Sequence, residues 1–215
     1  VKRQFLILSV AAALAIAAVS VLADKQMPSA KESGGATAVV GEMAPGFTLM
    51  DTAGKKHALA DYKGKFVVLE WINFGCPFVV KHYGSGNMQS LQSGYEKKGV
   101  VWLTICSSAP GKQGYLEGAE LTAAIAEHGC KPTAYLVDTD GSVGRMYNAK
   151  TTPNMYVIDP SGKLIYAGAI DDKPTTNPDD IKGATNYVQA ALDAAMTGKP
   201  VVVSSTQPYG CSVKY

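Results

Sequence analysis

The run Phe66-Val67-Val68-Leu69-Glu70-Trp71-Ile72, followed at once by Asn73-Phe74-Gly75-Cys76-Pro77, constrains the fold of this chain more than any other feature. A nearly continuous β-prone stretch suits a central strand covered on both faces. Proline fits the first turn of a helix, where its missing N–H forfeits no intrahelical bond. The segment therefore predicts a buried strand that turns directly into a helix, with Cys76 at the corner. The positive end of the helix dipole and the free N–H groups of the first turn both stabilise a thiolate there. That lowers a cysteine's pKa and makes it nucleophilic near neutral pH. The alternative is a small buried residue that simply fills the corner. Glu70 is the lone carboxylate of this strand. Burying it is costly, so it is either at an exposed strand position or retained for a purpose.

Patterning supplies the rest of the fold. The helix opened by Pro77 is expected to continue to about residue 98. Residues 99–105 read as a second buried strand, 107–114 as a loop beside the site, 117–128 as a helix and 134–138 as a third strand. A hairpin is expected from 154–159 and 164–170 around Pro160-Ser161-Gly162, and a last helix over 180–196 capped by Asp179 or Asp180. A short strand at 47–50 and a turn at Ala53-Gly54-Lys55 precede them. Helices alternate with strands first and an antiparallel pair follows. The order predicts an α/β fold, a central mixed β-sheet flanked by helices.

Composition matters mainly at the ends. Lys2 and Arg3 head an uncharged stretch at 5–22 that finishes in Val21-Leu22-Ala23 before Asp24. This reads as a bacterial-type secretory signal over 1–23. Its apolar length is close to the ~20 residues that span a bilayer, so an N-terminal inner-membrane anchor is the alternative. Either reading puts the rest of the chain in the periplasm or outside the cell, with membrane attachment only through residues 5–22. Residues 24–39 are expected to be a flexible linker, 40–198 the folded domain, and 199–215 a mobile tail carrying Cys211. Without residues 1–23 the formal charge falls from +2 to 0, which argues against nucleic acid as a partner. The four cysteines, Cys76, Cys106, Cys130 and Cys211, are too few for a disulfide-stapled scaffold. They form no C-x-x-C pair and no zinc-type spacing. No cofactor and no metal is expected.

The ordered set Val40-Gly41-Glu42-Met43-Ala44-Pro45-Gly46-Phe47-Thr48-Leu49, Glu70, Cys76-Pro77 and Thr151-Thr152-Pro153 resembles the thioredoxin superfamily. The branch is that of redoxins related to alkyl hydroperoxide reductase and thiol-specific antioxidant (AhpC/TSA) proteins. The resemblance implies a thioredoxin-like fold over roughly residues 40–197. It makes Thr152-Pro153 a cis-proline turn that faces Cys76 and holds an extended substrate segment, and it makes Glu70 a buried acid that tunes proton transfer.

Several positions depart from the pattern. Val79 stands where a thioredoxin carries its second cysteine. Asn73 and Leu69 stand where peroxiredoxins carry Thr or Ser and Pro, and Arg145 is the only arginine after Arg3. A resolving thiol has to come from elsewhere. Cys211, in Tyr209-Gly210-Cys211-Ser212, resembles the Gly-Cys-Ser tails of some redoxins; Cys130, or no internal thiol, are the alternatives. Cys106 reads as a small apolar residue at a strand end. Lys81 and His82 read as solvated helix residues, with a positive charge that helps the Cys76 thiolate as the alternative, and His82 is the nearest histidine candidate for acid–base work. The expected function is an exported thiol–disulfide oxidoreductase that acts on protein or small-molecule disulfides with an unidentified thiol reductant. The alternatives are a thiol-dependent peroxidase acting on hydroperoxides, with an antioxidant role, or a non-catalytic module that binds a protein or a metal ion.

Overall fold

The computed structural model describes Val1 and residues 37–215. The signal expected at 1–23 and the linker up to residue 36 lie outside the described residues. Among the described residues no helix is long and apolar enough to cross a membrane.

In chain order the elements are β1 (Thr48–Asp51), β2 (Lys56–Ala58), β3 (Val67–Trp71), α1 (Pro77–Gly84), α2 (Asn87–Glu96), β4 (Val101–Cys106) and α3 (Gly118–Glu127). Then come β5 (Ala134–Val137), α4 (Ser142–Met146), β6 (Thr151–Thr152), β7 (Asn154–Ile158), β8 (Leu164–Gly168), α5 (Tyr187–Met196) and β9 (Cys211–Ser212). Seven strands form one sheet in the order β2-β1-β5-β4-β3-β7-β8, while β6 and β9 pair separately. β3 runs parallel to β4 and β4 to β5, whereas β7 lies antiparallel to β3 and β8 to β7. The sheet is mixed, as the order of elements implies.

Period-two alternation along β3 explains why its sequence is apolar throughout. Val68 and Ile72 enter the core shared with Val79, Tyr83, Met88, Leu121 and Leu192, on the face covered by α1, α2, α3 and α5. Val67, Leu69 and Trp71 enter the opposite core with Leu103, Ile105, Val143 and Tyr147, beneath α4. A strand with both faces covered has no solvent side to mark with polar residues.

Three expectations need correction. The single helix expected over 77–98 is two helices, α1 and α2, broken at Ser85-Gly86, with Gly86 at φ +76°. That left-handed conformation suits glycine and ends the α-helical path. The last helix begins at Tyr187, capped by the Asn186 side chain, and residues Pro178–Gly183 form a separate 3-10 turn. The tail at 199–215, expected to be mobile, is packed on the domain. Thr206 N–H donates to Ala167 O at 3.2 Å, Val213 N–H to Lys150 O at 3.1 Å, and Ala109 N–H to Lys214 O at 2.8 Å. The Tyr215 hydroxyl donates to Ala149 O at 2.7 Å.

Candidate active site

β3 delivers the chain to a tight corner shaped by Asn73. Its Oδ1 accepts from Gly75 N–H at 2.8 Å, and its carbonyl accepts from Cys76 N–H at 2.9 Å. The Asn73 amide donates to Gln113 O at 2.9 Å, and Gln113 Nε2 returns a bond to Gly75 O at 3.0 Å. The loop expected beside the site thus braces it. Cys76 is the N-cap of α1 and Pro77 opens the helix. The Cys76 side chain is 0% exposed.

The Thr152–Pro153 peptide is cis, and Thr152 O accepts from the Cys76 thiol at 3.0 Å. Across this turn the tail brings the second thiol. β9 lies antiparallel to β6 in the register Thr152↔Cys211, which brings Cys211 to the same residue whose carbonyl accepts from Cys76. Gly210 makes the approach feasible. A Cβ at this position would lie 2.1 Å from Thr152 O, and φ is +136°. Only glycine tolerates both.

The two thiols are driven apart in acidity. Burial opposes ionising Cys76, but the donors around its sulfur, the Cys211 thiol, the Thr152 hydroxyl and the N–H groups of Val79 and Cys211, would stabilise a thiolate and outweigh it. They hold Cys76 below its ordinary value of 9.0. Thr152 Oγ1 is buried and has no hydrogen-bond partner while Cys76 is a thiol, so its proton is free to turn toward the sulfur when a thiolate forms. Cys211 is pushed up to about 11, by burial first and then by its hydrogen bond with Cys76 and the Cys76 charge. The pair therefore sets a more acidic thiol, Cys76, against a less acidic one, Cys211.

Other expected residues lie elsewhere. Glu70 is fully buried, and its carboxylate accepts from Trp102 Nε1 (2.7 Å), the Tyr83 hydroxyl (2.9 Å), Gln92 Nε2 (3.1 Å) and the Thr104 hydroxyl (3.1 Å). None of these bonds reaches Cys76, so Glu70 does not contact the thiol it was expected to serve. Cys130 joins this cluster, 3.3 Å from the Tyr83 hydroxyl. Cys106 donates to Gly114 O at 3.6 Å. Arg145 stands over the Tyr215 ring at 4.5 Å and donates to Asp140 O at 2.6 Å. Among the described residues, no cluster of three or more His, Cys, Asp or Glu side chains suits a metal ion.

Lys81 and His82 correct the sequence reading most. Both are buried, not solvated. Lys81 Nζ donates to Lys173 O at 2.8 Å, and His82 Nε2 lies 3.2 Å from the Tyr209 hydroxyl. Burial, aided by the Lys81 charge and opposed by Asp171, pushes His82 down to about 4. The ring is therefore neutral, and its 3.9 Å approach to Asp171 is not an ion pair at neutral pH. Sequence reasoning missed Tyr209 and Asp171. A Tyr in the tail and an Asp in a loop carry no spacing signal, and only the fold brings them to α1.

The chain is similar in sequence and fold to known proteins. The chain is 30% identical over 127 residues to the thiol-disulfide oxidoreductase ResA of Geobacillus thermodenitrificans, covering 58% of this chain and 66% of that relative. It thus spans slightly less than two thirds of the relative's length. The crystal structure of a hypothetical protein from Sinorhizobium meliloti 1021 superposes with a TM-score of 0.69 and 27% identity, covering 83% of this chain and 96% of the other. A putative thiol:disulfide interchange protein DsbE from Chlorobium tepidum, 23% identical with a TM-score of 0.50 over 61% of this chain and 85% of its own, shares the thioredoxin-like fold. The family model of AhpC/TSA proteins matches residues 40–167, more than half of the chain and all but the last residue of the central sheet, and on that match the chain belongs to the AhpC/TSA family.

Proposed function

We propose that this protein is an exported thiol–disulfide oxidoreductase in which Cys76 is the nucleophile and Cys211 the resolving thiol. The observation that carries the reading is the register Thr152↔Cys211. It puts a thiol of raised pKa beside a cysteine whose pKa is lowered. Similarity to a protein named thiol-disulfide oxidoreductase supports the same chemistry.

In the reductive direction the Cys76 thiolate attacks one sulfur of a substrate disulfide. The S–S bond breaks, a Cys76–substrate disulfide forms, and the departing sulfur leaves as a thiolate that takes up a proton. Cys211 then loses its proton and attacks Cys76 Sγ. The mixed disulfide breaks, the second substrate thiol is released, and a Cys76–Cys211 disulfide remains. An external thiol reductant restores the pair by the same steps in reverse. Thr152 stands beside Cys76: its carbonyl bonds the thiol form, and its unpartnered hydroxyl is available to stabilise the thiolate.

Hydroperoxide reduction is the second reading, favoured by the family description. There Cys76 attacks the distal oxygen, becomes a sulfenic acid and releases the remaining oxygen as water or alcohol, after which Cys211 displaces water. It ranks lower because Arg145, the only arginine in the described residues, is engaged with Asp140 and Tyr215. The purified protein with a thiol reductant should consume oxidised glutathione or a protein disulfide, and Cys76→Ser should lose that activity. Faster consumption of hydrogen peroxide than of disulfide, also lost in Cys76→Ser, would reverse the ranking.

A further inference from the structure

Tyr209 lies two residues before Cys211 and takes no part in exchanging sulfur bonds. Its hydroxyl donates to Asp171 Oδ1 at 2.5 Å and accepts from His82 Nε2 at 3.2 Å. The direction follows from the far side of the ring, where Asn87 Nδ2 donates to His82 Nδ1 at 2.9 Å. A neutral imidazole that accepts at Nδ1 carries its proton on Nε2. The Tyr209 ring meets Phe78 edge to face at 5.7 Å, and Lys81 Nζ stands over it at 5.7 Å.

Phe78, Lys81 and His82 all belong to α1, the helix capped by Cys76. One helix therefore presents the first thiol at its end and grips the tail that carries the second along its side. Lys81 also donates to Lys173 O, so α1 holds the loop that carries Asp171. β9 itself is only two residues long, and a strand of that length contributes little ordering of its own. On the other side of Cys211 the tail is tied by the backbone bonds of Val213 and Lys214 and by Tyr215.

We propose that Tyr209, clasped by Asp171, His82 and Phe78, is the latch that holds Cys211 against Cys76. It is a positioning residue, and the proposal rests on the two-thiol reading of the site. The latch sets two opposed quantities. It raises the effective concentration of Cys211 at Cys76, and it keeps Cys76 covered, since that residue has no exposed surface while β9 is in place. Releasing it should lower the first and raise the reactivity of Cys76 toward outside reagents.

The test equilibrates the full chain with reduced and oxidised glutathione and counts Cys76–Cys211 disulfide by mass after alkylation. Oxidised glutathione accepts two electrons from the thiol pair and leaves as two molecules of reduced glutathione. Tyr209→Ala should lower the equilibrium constant for the internal bond about tenfold, as a freed tether lowers effective concentration, and should speed iodoacetamide labelling of Cys76. Tyr209→Phe keeps the ring and loses the hydroxyl, and should fall between Tyr209→Ala and wild type. Asp51→Asn, which removes the Asp51–His57 bond in the β1–β2 hairpin, should lower the melting temperature and leave the equilibrium constant unchanged. If Tyr209→Ala does not fold, Tyr209→Phe and Asp171→Asn carry the same comparison. An unchanged constant in the folded variants overturns the latch alone. A wild-type protein that forms no Cys76–Cys211 bond overturns the two-thiol reading and the latch with it.

Discussion

Two buried cysteines lie near α1 in opposite chemical settings. Cys76 caps the helix and is 0% exposed, and Cys130 packs against Tyr83 from the same helix at 8% exposed. Burial raises both thiols. At Cys76 one carbonyl, Thr152 O, accepts from the thiol, but the N–H, O–H and S–H donors around the sulfur outweigh burial and the net direction is down. At Cys130 burial is joined by the Glu70 charge, and the polar contacts with Tyr83, Gln92 and Thr104 do not offset them, so the thiol is pushed up to about 12. Lack of solvent therefore does not by itself silence a cysteine. What decides is whether the neighbours offer protons or negative charge.

The largest expected effect would break this contrast if it failed. Cys76→Ser should cut disulfide reduction by about a thousandfold or more, because a serine hydroxyl here has no base to activate it. Cys130→Ser should stay within about twofold, since a thiol of raised pKa supplies little thiolate near neutral pH. Equal losses in the two variants would mean that the second cluster takes part in the chemistry.

Cys211→Ser should sharpen the contrast from the other side. Turnover should fall by about a hundredfold, while the first attack survives and Cys76 accumulates as a mixed disulfide visible by mass. The smallest effect concerns Glu70. Burial, against bonds from Trp102, Tyr83, Gln92 and Thr104, raises its carboxyl above the ordinary 4.5. The folded protein then keeps a proton that the unfolded chain has lost. This contribution to stability is complete below pH 4.5 and is lost as pH rises toward the folded value. Glu70→Gln cannot titrate, so its melting temperature should gain on wild type across that window. Its exchange rate should change by less than about threefold, because Glu70 does not bond Cys76.

The strand-to-helix corner was legible because its signals are local. A β-prone run, a glycine, a cysteine and a proline lie within twelve residues, and each restricts the backbone on its own. The hairpin around Pro160-Ser161-Gly162 was legible for the same reason. The split of α1 from α2 was not, because apolar residues recur on both sides of Gly84-Ser85-Gly86 and suggest a continuous face. Lys81 and His82 looked solvated because the groups that meet Lys81 Nζ and His82 Nε2, Lys173 O and the Tyr209 hydroxyl, are about ninety or more positions away. The packing of the tail was illegible in a deeper sense. Residues 199–215 bind through backbone groups and single side chains on separate elements, and such bonds leave no period in the sequence. Cys211 stood out as a candidate only through its Gly-Cys-Ser setting, and its register against Thr152 needed the fold.

Mass mapping of disulfides in protein oxidised with glutathione disulfide tests the pairing of Cys76 with Cys211 most directly. The expected result is a single internal bond between Cys76 and Cys211, with Cys106 and Cys130 recovered as free thiols. A bond from Cys76 to Cys130, or oxidised protein in which Cys76 and Cys211 stay unlinked, would contradict the account.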